Sequence, residues 1–128
     1  MNQATNMLIQ RHLGTYQSAL TQWGRQVTVA RDDRDAFRIA SQKPAPHSLL
    51  RSLGSLTNSD RLKAERIVER QLEERLDRLE RDGAEVGLLR DLQRTTQGAW
   101  PRQARRLETL ARAAARPPEP DNDDGMEP

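Results

Sequence analysis

Five arginines near the end of the chain, Arg102, Arg105, Arg106, Arg112 and Arg116, are the residues whose spacing most suggests chemistry. On a helix turning about 100° per residue they gather on one side, with Ala104, Leu107, Leu110, Ala111 and Ala114 opposite. Planar guanidinium groups in a row suit phosphate or carboxylate, which they grip in bidentate fashion. Such a face fits nucleic-acid phosphates, an acidic protein surface or the chain's own acidic tail. A plain solvated helix surface would look the same. Two leucines and several alanines make too weak an apolar side for a lipid surface.

No constellation for catalysis accompanies them. The two histidines, His12 and His47, fall on different predicted elements without carboxylates at ligand spacing. The chain lacks cysteine, an HExxH pair, an EF-hand loop and a phosphate-binding glycine loop. The tail acids Asp121, Asp123 and Asp124 lack the later glutamate of a calcium loop. These observations predict a protein that is not an enzyme, with no cofactor, no metal and no small-molecule substrate.

The elements that would position the arginines are helical. Ile9, Leu13, Tyr16, Leu20, Trp23, Val27 and Ala30 alternate four and three apart, and Phe37 continues the stripe past Arg34. That spacing predicts one long amphipathic helix from about Ala4 to about Ala40. Tyr16, Trp23 and Phe37 are three of only four aromatic residues in the chain. Aromatics concentrated on one seam predict a protein-interaction surface at Ile9, Leu13, Tyr16, Leu20, Trp23, Val27 and Phe37. The competing expectation buries the seam against residues 59–92.

Lys43-Pro44-Ala45-Pro46-His47 ends that helix, because each proline removes a donor and restricts the residue before it. A short leucine-rich helix capped by Ser48 should come next, carrying Leu49, Leu50, Leu53 and Leu56. Capping oxygens in Thr57–Asp60 predict a central helix from about Ser59 to Asp82 that buries Leu62, Val68, Leu72, Leu76 and Leu79. Glycines and a Trp-Pro step place kinks near 83–87 and 98–101. Between them should lie an element from about Ala84 to Gln97, and after them the basic helix from Pro101 to Arg116.

The fold expected is therefore all-α. Its long N-terminal helix packs on the central helix as an antiparallel hairpin, within an elongated bundle spanning residues 1–116. Because the central stripe is shorter than the seam, some of the first helix should stay uncovered, around Val27 to Phe37 or at its first turns. Residues 117–128 carry five acids and no base and should form a disordered tail. The body holds 21 basic residues against 14 acidic, a net charge of +7, and nineteen of the bases are arginine. That preference reads chiefly as GC-rich coding in a bacterium, phage or plasmid.

No stretch approaches the roughly 18 apolar residues of a membrane span, and no secretory signal is evident, so a cytoplasmic protein is expected. The order of elements resembles that of small bacterial secretion-system and phage accessory proteins. The function expected is a helical adaptor, chaperone or assembly factor binding another protein or a second copy of itself. The alternative is a nucleic-acid-associated accessory protein that contacts phosphates through the arginine helix.

Overall fold

The computed structural model describes residues 2–116; the predicted acidic tail at 117–128 lies outside them. Helix α1 spans Gln3–Val29 and opens on Asn2, whose Oδ1 accepts from the Thr5 N–H at 2.8 Å. It does not run on to Ala40. Val27, Thr28 and Val29 form a β-branched run of low helix propensity, and Ala30 leaves the helix with ψ at 137°. Asp32 then caps a separate helix, α2 (Asp33–Ser41), by accepting from the Asp35 N–H at 2.8 Å. The charged cluster at Arg31–Asp35 thus spans the turn between two helices and the first residues of α2, and is largely exposed.

That turn reverses the chain. The indole N–H of Trp23 donates to the Ile39 carbonyl at 2.8 Å, so α2 lies back along α1. The proline-containing passage continues the return as far as His47, whose ring stacks on His12 with centroids 4.1 Å apart. His47, rather than Ser48, caps the leucine-rich segment: its Nδ1 accepts from the Leu49 N–H at 3.1 Å. That segment is a short 3-10 helix, Ser48–Leu53, with Leu50 fully buried. It runs without a gap into α3 (Gly54–Asp82), so Thr57 caps nothing and its hydroxyl donates instead to the Gly54 carbonyl at 3.3 Å.

Helix α3 packs beside α1 in the same direction. Gln17 bonds Asp60 at 2.8 Å, and Gly24 faces Ile67. Further up, Arg75 bonds the Ala30 carbonyl at 2.9 Å. Residue numbers rise together along the two helices, which makes the pair parallel. The antiparallel hairpin expected for these two helices is corrected accordingly. Its physical cause is the reversal at Ala30, which gives α1 an antiparallel partner in α2 and sends α3 up again.

Gly83, at φ 78°, ends α3 in a conformation that side-chain-bearing residues rarely adopt; its N–H donates to the Leu79 carbonyl at 3.0 Å. Helix α4 (Val86–Thr96) descends beside α2, tied by Arg34 to Asp91 at 3.1 Å. Helix α5 (Pro101–Ala115) rises along α3. The described chain thus passes up, down, up, down and up. One hydrophobic core joins all five helices, from Tyr16, Trp23 and Phe37 through Val68, Leu72 and Leu76 to Leu92, Trp100 and Leu107.

Candidate interaction surface

The seam lies mostly within this core. Tyr16, Leu20 and Trp23 retain at most 4% of their exposure and Val27 and Phe37 none. Ile9 and Leu13 are half-buried against the core edge. The seam expected to meet a partner is covered by the chain itself from Tyr16 to Phe37, because α2 folds back over the upper half of α1. Around Val27 to Phe37 the seam positions are covered, although Val29, off the seam, is 68% exposed. The first turns are open instead, with Met7 63% and Leu8 41% exposed.

The tryptophans serve the same closure. Their rings stack at 6.3 Å, and the Trp100 indole N–H donates to the Ala40 carbonyl at 2.9 Å. Together with the Trp23–Ile39 bond this satisfies two carbonyls at the end of α2. Trp100 is therefore buried and offers no platform for stacking a base.

The arginine face on α5 is divided. Arg106 turns onto α3, donating to Glu73 at 2.7 Å, Asp77 at 2.6 Å and Glu80 at 3.0 Å. The Asp77 bond foremost, aided by the other two carboxylates, raises its pKa further above the ordinary arginine value. Arg102 lies 3.8 Å from Glu69, and Arg112 pairs with Glu108 of its own helix at 2.7 Å. Arg105 and Arg116 are exposed without an ion pair among the described residues. The opposite side packs as expected at Ala104, Leu107 and Ala111, whereas Ala114 is exposed.

A residue that sequence pattern does not single out holds the fold's main turn. Arg75 is 7% exposed. Its guanidinium donates to Asp33 at 2.9 Å, to the Ala30 carbonyl at 2.9 Å and to the Val27 carbonyl at 3.4 Å. A cation at the carbonyl end of α1 also complements the helix dipole.

Opposite the core, α1 and α3 leave a groove between them of about 440 Å³. Leu20, Gly24, Ala64 and Ile67 give it an apolar lining; Arg25 and Lys63 stand on its rims. Gly24 brings the α1 backbone close, for a methyl placed there would lie 3.7 Å from Ile67 Cγ2. The hydroxyls of Thr21 and Thr28 are already taken by carbonyls of their own helix, at 3.1 and 2.9 Å. Ile67 is nevertheless 53% exposed, as is Leu62 at 52% further round α3. The expectation that Leu62 lies inside is corrected here. It stands six residues from Val68, about 120° round the helix from the stripe that is buried. Ala64, Val68, Leu72 and Leu76 form that stripe.

Among the described residues no three potential metal ligands gather, and no helix is long and apolar enough to cross a membrane. Comparison of the chain with protein-family models, curated proteins and solved structures gives no match.

Proposed function

We propose that this chain is a non-enzymatic helical protein–protein interaction module, a small cytoplasmic adaptor, chaperone or assembly factor. Its partner engages the groove between α1 and α3. One observation carries the reading: Ile67, a branched apolar side chain, stays 53% exposed in an apolar groove whose walls are fixed by the core behind them. A rigid concave apolar surface needs no reorganisation on binding, so little of the contact energy is lost to ordering. The arginine-rich composition supports a bacterial, phage or plasmid setting.

Photo-crosslinking in the cell of origin tests this. A photoreactive residue at Thr21 or Thr28, both exposed on the groove wall, should give the same discrete protein adduct, lost in Ile67→Glu. A probe at Arg90, exposed on α4, should give none. Adducts to nucleic acid would instead favour the alternative, an accessory protein contacting phosphates. That alternative now rests less on α5, where Arg106 is engaged by three carboxylates.

A further inference from the structure

We infer that the occupant of the α1–α3 groove is a single amphipathic helix of about three turns with acidic flanks; this rests on the groove being the partner site. Charge complementarity sets the sign. Arg25 and Lys63 line the groove, and Arg66 and Arg70 extend the basic edge along the exposed face of α3. None of these four pairs with a carboxylate among the described residues. The one acid on the groove wall, Asp60, accepts a hydrogen bond from Gln17 at 2.8 Å. A ligand therefore meets an apolar floor between rims of net positive charge, with Asp60 as the one carboxylate, at the Gln17 end.

Shape selects a helix. Both walls are helices whose backbone groups are bonded internally, so no sheet edge is offered for strand addition. The groove runs from Gln17 to Thr28 on α1, about 17 Å at 1.5 Å per residue, which matches a helix of about 12 residues. Its floor would take apolar residues spaced i, i+4 and i+7, one of them against Ile67 and Gly24. Carboxylates flanking that stripe reach Arg25 on one side and Lys63 and Arg66 on the other. The apolar contact carries most of the affinity, and the exposed ion pairs add specificity and a faster on-rate.

Selection from a random library of displayed peptides of about 16 residues, long enough for four helical turns, tests the proposal on the full chain. Enriched sequences should show apolar residues at helical spacing and net negative charge. As synthetic peptides they should gain helicity on binding. Ile67→Glu should weaken them about tenfold or more, as expected of a central apolar anchor, and Lys63→Glu with Arg66→Glu severalfold. Both variants change exposed positions and should keep the wild-type circular dichroism and melting temperature. Groove-dependent peptides that are neutral, basic or extended would overturn the acidic-helix proposal while leaving the groove as the partner site. Absence of any peptide sensitive to Ile67→Glu would overturn both. Binding of random duplex DNA, lost in the Lys63/Arg66 double variant and unaccompanied by groove-dependent peptides, would make the basic rim a phosphate surface instead.

Discussion

Arg75 joins three parts of the molecule through one side chain. Its guanidinium closes the carbonyl end of α1 and holds Asp33 at the start of α2, from a position on α3 that is nearly dry. Removing it would leave the Ala30 carbonyl and a half-buried carboxylate without their donor, and the Val27 carbonyl with only the Ala30 N–H at 3.4 Å. Arg75→Met is therefore expected to destabilise the protein by about 2–3 kcal/mol in urea unfolding; a change below about 0.5 kcal/mol would show that water replaces it. Tyr16 behaves in the opposite sense. Its hydroxyl is buried without a partner among the described residues, and burial raises its pKa above the ordinary value. The folded state thus holds that proton more tightly than the unfolded chain. The resulting stability is complete below about pH 10 and lost as pH rises through the folded value. Tyr16→Phe should cost less than about 1 kcal/mol at neutral pH, since no hydrogen bond is removed, and should flatten the loss of stability above about pH 10. A steeper alkaline loss in the variant would contradict this. Tyr16, Trp23 and Phe37 are legible in the sequence as buried because their spacing is helical. Arg75 is not, since an arginine within a charged run looks like surface until the turn it serves is known.

At the scale of elements, the ends of helices are harder to read than their faces. The stripe from Tyr16 to Phe37 predicts the right buried residues and the wrong number of helices. Side-chain periodicity survives a tight reversal when both helices face the same core, so the pattern conceals the break. The signals for it are local: a β-branched run at Val27–Val29 and an aspartate followed by acids at Asp33 and Asp35. Asp32→Ala removes the cap and should cost about 1 kcal/mol, with α2 amides losing hydrogen-exchange protection before those of α1. Uniform loss across both helices would mean that the cap is not what defines α2. Helix α3 begins five residues earlier than its capping oxygens suggest, because the 3-10 helix and His47 already supply the start. Helix α4 and helix α5 match their expected limits to within about two residues, the ordinary uncertainty of helix ends. Gly83 and the Trp100-Pro101 step are unambiguous punctuation. The basic face of α5 is also legible. That Arg106 turns to Glu73, Asp77 and Glu80 is not, because those acids lie 26 to 33 residues away and come near only through the fold.

For the whole molecule, direction of packing decides which surfaces remain. An antiparallel α1–α3 hairpin would have left one face of α1 bare beyond the shorter stripe. The three-pass arrangement covers that face with α2 and opens a different one, the groove floored by Leu20, Gly24, Ala64 and Ile67. Composition and charge do not reveal it, since either topology buries the same leucines. The parallel register of α1 and α3 is thus the claim on which the interaction surface depends. The chain has no cysteine, so a pair of introduced cysteines can be joined by a short bifunctional maleimide without background. Gln17→Cys with Asp60→Cys should link rapidly within one chain, and Gln17→Cys with Arg78→Cys, an exposed position on the same face of α3, should not, because positions 60 and 78 stand about 27 Å apart along α3. Preferential linking of the 17–78 pair would contradict the parallel packing and remove the groove with it.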